Sequence, residues 1–81
     1  MEFTVRLFGP EAELAGSSQV TVEIDGPPTC RELREAITRL NPSLAPRATA
    51  CRFAVNHEFV DDDFLVSERD EVALIGLVSG G

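Results

Sequence analysis

The residues best placed to do chemistry are two glycines at the end of the chain, Gly80 and Gly81, which follow Ser79. They follow "DEVALIGLV", an apolar run typical of a buried strand. Glycine loses more conformational freedom on ordering than any other residue, so a terminal pair adds nothing to a core. What the pair offers is a carboxylate on a slim, unbranched backbone. Gly80 and Gly81 therefore either have no function or form the reactive end of the molecule.

Two cysteines and one histidine are the other candidates for chemistry. Cys30 falls in the first turn of a predicted helix, where the helix dipole would lower the pKa of its thiol. Two cysteines are too few for an iron–sulfur cluster or a structural zinc site, which need about four protein ligands. We interpret Cys30 and Cys51 as reduced structural thiols, and His57 as a surface residue in a turn. We expect no catalytic turnover by the isolated chain.

An acidic run at Asp61, Asp62 and Asp63 raises the question of a metal site. A loop that binds a hard cation needs a longer ligand set with defined spacing. We therefore predict no metal site and expect a solvated acidic loop. The run could form an acidic docking surface beside the tail with three further acids, Glu68, Asp70 and Glu71.

Length and charge exclude several classes of protein. Eighty-one residues, of which 43% are hydrophobic, predict a single globular domain over residues 1–81. The net charge of −7 argues against a nucleic-acid partner, which would demand a basic surface. It suits a basic protein partner, or it serves only solubility. No apolar stretch reaches the length of a membrane span, and "MEFTVRLFG" lacks secretory features, so we expect a cytoplasmic protein.

Hydrophobic periodicity predicts two strands followed by a helix. "EFTVRLF" and "QVTVEI" alternate apolar and polar residues, and the turn-like "GPEAELAGSS" between them favours an antiparallel hairpin. Thr29 and Glu32 form a predicted capping box at the start of the helix. Asn41-Pro42 ends the helix. Its apolar face is predicted at helical spacing by four residues, Leu33, Ala36, Ile37 and Leu40.

The second half of the chain predicts three more strands. "CRFAV" is a short strand, Asn56-His57 a turn, and "EFV" a brief edge strand. Residues 72–78 are nearly all apolar, which suits a central strand covered on much of both faces. Pairing this strand parallel to the first one gives an α+β fold, a mixed sheet with one main helix on one face. That arrangement is the β-grasp, or ubiquitin-like, architecture.

The whole chain resembles the ThiS/MoaD family of sulfur carriers, most closely those that serve as small subunits of molybdopterin synthase. The resemblance lies in "AVN" at 54–56, "DEVALI" at 70–75 and "VSGG" at 78–81. It implies that the Gly81 carboxylate is adenylated and then converted to a thiocarboxylate. Val78, Ser79 and Gly80 would form the tail that carries Gly81 into partner active sites.

The resemblance also implies partners. These are an adenylating enzyme that uses ATP, a sulfur donor protein, and a large synthase subunit that forms a heterotetramer with two copies of the carrier. No cofactor would be bound by this chain itself, which would be a sulfur-donating subunit and not an enzyme alone. The family's partner contacts fall at positions matching Phe59 and Ile75, and the alternation of the last strand adds Leu77. The alternative is that these side chains fill the core.

One position departs from the family pattern, and other functions stay open. Many small subunits of molybdopterin synthase carry a proline pair before the valine of the tail, where this chain has Gly76-Leu77. Proline would stiffen the exit of the tail, whereas Gly76 is expected to loosen it. The departure leaves open a carrier for thiamin, cysteine or tRNA thiolation. A ubiquitin-like protein modifier and a passive β-grasp interaction domain are the remaining alternatives.

Overall fold

The alternating apolar residues near the N-terminus form a strand, and the later apolar runs join it in one sheet. A computed structural model of the chain describes residues 1–76, and residues 77–81 lie outside that range. Its strands are β1 (Glu2–Leu7), β2 (Gln19–Glu23), β3 (Cys51–Val55), β4 (Glu58–Val60) and β5 (Val72–Gly76). Its helices are α1 (Gly9–Ala15), α2 (Cys30–Leu40) and α3 (Ala45–Ala48), with a 3₁₀ turn at Pro42–Leu44. None of the helices within residues 1–76 is long and apolar enough to span a membrane.

The five strands lie in the order β2-β1-β5-β3-β4. β1 pairs antiparallel with β2 and parallel with β5, and β3 pairs antiparallel with both β5 and β4. Val5 therefore lies opposite Val20 on one side and Val72 on the other. All three are buried, so the centre of the sheet is also the centre of the core. The predicted β-grasp fold, with the last strand in the middle, is confirmed.

The main helix packs its apolar side on one face of this sheet. The predicted capping box is present, because Thr29 Oγ1 accepts the Glu32 N–H at 3.2 Å and Glu32 Oε1 accepts the Thr29 N–H at 2.9 Å. The buried residues of α2 are Cys30, Leu33 and Ile37. Leu40 was predicted to join them, but it lies in the last turn and is 62% exposed. Leu44 of the 3₁₀ turn fills the core after α2 instead.

The connection between β1 and β2 is a helix and not the turn that its proline and glycines suggested. Pro10 lies in the first turn of α1, where its missing N–H has no helical partner to lose. Gly16 follows α1 in the left-handed conformation, with φ of 72°. Its N–H donates to the Glu13 carbonyl, and the Ser17 N–H donates to the Ala12 carbonyl. Proline and glycine here lie at the two ends of a helix. The sequence predicted a turn because both residues are also common in turns.

Both cysteines lie in the core as free thiols, as predicted. The pKa of Cys30 is raised from 9.0 to about 11, first by burial and then by the negative charge of Asp62. The predicted lowering by the helix dipole is therefore wrong, because desolvation of a buried thiolate outweighs the dipole. Burial also raises the pKa of Cys51, whose thiol donates to the Arg47 carbonyl at 3.3 Å.

The acidic run after β4 is only partly the solvated loop that we expected. Asp63 is exposed and pairs with Arg31 at the surface, at 2.9 Å. Asp62 instead accepts two hydrogen bonds from Arg34 of α2, at 2.9 and 3.0 Å. The Arg34 guanidinium also donates to the Cys51 carbonyl at 3.1 Å. A side chain of α2 thus joins the acidic run to the beginning of β3.

We expect the bidentate contact to contribute to stability. Replacing Arg34 with methionine should lower the free energy of unfolding by about 1.5–3 kcal/mol, the usual worth of hydrogen bonds to a charged group away from bulk water. Urea denaturation followed by circular dichroism measures this change. Arg31→Met is the matched control, because its pair with Asp63 is solvent-exposed, and its denaturation midpoint should not move. Equal effects of the two substitutions would contradict this account of Arg34.

The buried thiols should be protected from alkylation. At neutral pH the rise in the Cys30 pKa from 9.0 to about 11 alone cuts the thiolate fraction about a hundredfold. Iodoacetamide should therefore label Cys30 at least that much more slowly in the folded chain than in the urea-unfolded chain, as read by mass spectrometry of the peptide that contains Cys30. A Ser18→Cys variant is the control, since Ser18 is exposed, and its new thiol should label rapidly. Labelling of Cys30 at the rate of that surface thiol would contradict the burial and the raised pKa of Cys30.

The same pKa shift predicts how stability depends on pH. The folded state holds the Cys30 proton more tightly than the unfolded state, whose thiol has a pKa near 9.0. The stabilising contribution is therefore complete below pH 9 and is lost as the pH rises towards about 11. Urea midpoints measured across that interval should fall more steeply for the parent chain than for a Cys30→Ala variant.

Candidate functional site

One face of the sheet is covered by helices and the other is open. On β5 the alternation is clear, because Val72 and Leu74 are buried while Ala73 and Ile75 are half-buried. Successive side chains of a strand point to opposite faces. Val72 and Leu74 therefore face the core under α2, and Ala73 and Ile75 face the open side.

The strand register places further side chains on this open face. Ala73 lies opposite Arg6 of β1 and Ala54 of β3, and Ala54 lies opposite Phe59 of β4. Residues paired directly across neighbouring strands share a face. These four side chains therefore cross the sheet in one row, from β1 to its edge strand. Phe59 at the edge is 53% exposed.

The row opens into a groove of about 280 Å³, which we call the open-face groove. Its apolar lining comes from β3, β4, β5 and the residue after β1, and consists of Phe8, Ala54, Phe59, Ala73 and Ile75. Its polar lining consists of Arg6, His57 and Glu71. Exposed apolar side chains gathered in one concave surface are typical of a protein-binding site.

Two arginines lie over the aromatic rings of this face. The Arg6 guanidinium is 5.8 Å from the centre of the Phe8 ring, and that of Arg52 is 5.0 Å from the centre of the Phe59 ring. Both distances are within the range of a cation–π contact. The face therefore presents apolar surface bordered by positive charge, although the chain as a whole carries a net charge of −7.

The hairpin turn between β3 and β4 is tied to the start of β5. Asn56 and His57 have positive φ values of 53° and 71°, as the two central residues of a tight hairpin require. Asn56 Nδ2 donates to Asp70 Oδ1, and Asn56 Oδ1 accepts the Glu71 N–H, both at 3.0 Å. The two sequence motifs "AVN" and "DEVALI" thus meet here, and their contact fixes one end of the open-face groove.

His57 is a surface residue, as predicted, and it borders the groove. Its Nε2 lies 3.1 Å from a Glu71 carboxylate oxygen. The predicted acidic docking surface stays a prediction, and several of its members have partners within the chain. Asp62 and Asp63 bind arginines of α2, whereas Asp70 bonds to Asn56 and to the Ser67 N–H.

The predicted site residues divide into those that the structure describes and those beyond it. Phe59 and Ile75 lie together on the open face, and neither belongs to the buried core. The remaining predicted residues lie outside the described range 1–76 and are Leu77, Val78, Ser79, Gly80 and Gly81. Sequence reasoning missed Arg6 and Phe8. The alternation of β1 does predict that Arg6 points to the other face of the sheet from the buried Val5 and Leu7. The sequence alone did not show that Arg6 lies beside Ala73 of β5.

Comparison with known proteins gives a consistent result over the whole chain. The model of the ThiS family matches residues 5–81. A relative from Arabidopsis thaliana, named molybdopterin synthase sulfur carrier subunit, is 31% identical over 81 residues, which cover 100% of this chain and 84% of that protein.

Solved structures share the fold. SAMP1 from Haloferax volcanii, a small archaeal modifier protein, superimposes with a TM-score of 0.87 at 29% identity, over 100% of both chains. A complex of subunits 1 and 2 of molybdopterin-converting factor from Helicobacter pylori contains a chain that matches with a TM-score of 0.68 at 26% identity, again over 100% of both chains. With the family model matching nearly the entire sequence, this chain belongs to the ThiS family.

Proposed function

We propose that this chain is the sulfur-carrier subunit of a molybdopterin synthase. The observation that carries the proposal is the family match, which runs through the whole fold and includes the C-terminal Gly80 and Gly81. The name of the relative from Arabidopsis thaliana supports the assignment to this synthase. The proposed reactive group is the Gly81 carboxylate, which acts in partner enzymes and not in the isolated chain.

The chemistry proposed for Gly81 starts from its carboxylate, which is a poor electrophile. The charge of a carboxylate is delocalised, and its leaving group would be oxide. Attack of the carboxylate on the α-phosphate of ATP releases pyrophosphate and leaves an acyl adenylate. A sulfur nucleophile then attacks the carbonyl carbon and expels AMP. If the donor is a persulfide, a second thiol must cleave the S–S bond to free the terminal thiocarboxylate.

The resulting thiocarboxylate is the proposed sulfur donor to a pterin precursor. Held in a partner's active site, it reacts at a high effective concentration. ATP is bound by the activating enzyme in this scheme, and the chain itself needs no cofactor. The proposed partners are that adenylating enzyme, a sulfur donor protein and the large synthase subunit, with two copies of each subunit in a heterotetramer.

The open-face groove is the proposed contact with these partners. In the Helicobacter pylori complex a chain similar to this one is bound to subunit 2, which supports a large subunit as partner. Here Ile75 faces the groove directly before Gly76, so a partner held in the groove lies beside the point where the tail begins. Apolar contacts in the groove would then hold the carrier while Gly81 reaches the reaction centre.

A second candidate function is that of a covalent protein modifier. The likeness to SAMP1, whose name describes a modifier, favours it specifically. Both functions use the same activated Gly81 carboxylate, and they differ in whether sulfur or a lysine amine attacks it. Conjugates of the chain with other proteins in cell extract would support the modifier. Carriers for thiamin, cysteine or tRNA thiolation share the thiocarboxylate and differ only in the acceptor.

Gly81→Ala tests the proposed reactive end. A methyl group at the last residue would crowd the carbonyl under attack, so we expect thiocarboxylate formation to slow by roughly tenfold or more. Intact-mass spectrometry after incubation with ATP, the adenylating enzyme and a sulfur donor measures the rate. Ser18→Ala is the control, since Ser18 is exposed between α1 and β2 and outside the tail, and this variant should react at nearly the parent rate. An unchanged rate for Gly81→Ala would contradict the proposal that Gly81 carries the reactive carboxylate.

Ile75→Asp tests the proposed contact surface. It places a charge in the apolar part of the open-face groove without touching the core, so the chain should fold normally. We expect its affinity for the large subunit to fall by roughly tenfold or more, the effect of losing a central apolar contact. Isothermal titration calorimetry against the purified large subunit gives the dissociation constant.

The matched control is Leu65→Asp. Leu65 is 61% exposed and does not line the open-face groove, so the same change of chemistry there should leave binding intact. Equal affinities of the two variants for the large subunit would show that the groove is not the interface.

A further inference from the structure

A carboxylate is buried beside Gly76, the last residue that the structure describes. Glu11, in the first turn of α1, is 2% exposed, and among residues 1–76 no other charged residue is buried. Its Oε2 accepts a hydrogen bond from Arg47 Nε at 2.6 Å. Arg47 belongs to α3 and keeps 46% of its side chain exposed. The Glu11 charge is thus taken out of water and held from one side by a partner that stays in contact with water.

On another side this carboxylate lies against Gly76. A Cβ atom at Gly76 would be in steric conflict with Glu11 Oε1, and it would lie 2.9 Å from Cδ and 3.0 Å from Oε2. The φ angle of Gly76 is outside the left-handed region, so its backbone suits any residue. A side chain at this position would therefore force the Glu11 carboxylate to move, and both its burial and its hydrogen bond to Arg47 oppose that movement.

The contact comes from the helix side of the sheet. Because side chains alternate along β5, position 76 points to the same side as the buried Leu74, whereas Ile75 points into the open-face groove. Two neighbouring residues thus have contacts on opposite faces. Ile75 is available to a partner, and Gly76 is in contact with the Glu11 carboxylate.

We propose that Glu11, held by Arg47 and packed on Gly76, is a positioning residue that sets the direction in which the C-terminal tail leaves β5. This inference rests on the proposed function, because direction matters only if Gly81 must reach an active site. A proline at position 76 would restrain the backbone through its ring. In this chain the packed carboxylate supplies the restraint, so Gly76 does not simply loosen the exit.

The contact itself is tested by a double-mutant cycle on stability. In the parent chain, Gly76→Ala should lower the equilibrium constant for folding about tenfold, as overpacking a well-filled site does. In a Glu11→Ala background the space is free, and the same Gly76→Ala change should alter that constant less than about twofold. Urea denaturation gives all four constants. Additive effects of the two substitutions would overturn the contact.

Glu13→Ala provides the control background for this cycle. Glu13 lies in the same helix and is exposed, so it shares no space with Gly76. Gly76→Ala should be as damaging there as in the parent chain. Relief by Glu13→Ala equal to that by Glu11→Ala would show a general effect of charge on α1 and would overturn the specific role of Glu11.

The positioning role is tested by kinetics on the Glu11→Ala/Gly76→Ala double variant. This variant has room for the new methyl group, but it lacks the carboxylate that restrains the tail. With the adenylating enzyme we expect KM for the carrier to stay within about twofold, because the open-face groove is untouched. The kcat for thiocarboxylate formation should fall about tenfold, the cost of misplaced reacting groups.

The outcomes separate this inference from the function on which it rests. A double variant with the kcat of the parent chain would overturn the positioning role alone and leave Glu11 a structural residue. A parent chain that gains no sulfur from an active enzyme would overturn the proposed function, and the positioning role with it. The coupling between Glu11 and Gly76 in the stability cycle is measured independently of either result.

Discussion

The parallel pairing of β1 with β5 is the constraint on which the rest of the molecule depends. It brings the last described strand into the middle of the sheet, between β1 and β3. Val5 and Val72 lie side by side in this pair and are almost completely buried. Gly76, the last described residue, therefore belongs to a strand that is paired on both sides.

Strand alternation then gives the two faces of β5 different contacts. On the helix side lie Leu74, in the core, and Gly76, against the Glu11 carboxylate. On the open side lie Ala73 and Ile75, in the open-face groove. The groove is suited to holding a partner, and the packed carboxylate to directing the tail. In the proposed scheme, this separation would let more than one enzyme bind the groove while the contact with Glu11 stays the same.

The local features of the sequence predicted most of the fold. The errors lie where the structure depends on contacts between residues far apart in sequence. The Thr29 capping box and the alternation of β1 are set by neighbours in sequence, and both were confirmed. The helix α1 was missed because Pro10 and Gly16 are also turn residues. The contact of Glu11 with Arg47 joins residues 36 positions apart, and no local sequence pattern predicts it. The raised pKa of Cys30 likewise follows from burial, which periodicity alone does not give.

The proposed reaction of the Gly81 carboxylate can be tested by the mass of the intact protein. The purified chain would be incubated with ATP, a sulfur donor and its adenylating enzyme, and then analysed by mass spectrometry with fragmentation. The account predicts a mass gain equal to the replacement of one oxygen by sulfur, located at Gly81 and dependent on ATP. No gain, with an enzyme that demonstrably adenylates a C-terminal glycine, would contradict the assignment of this chain as a sulfur carrier.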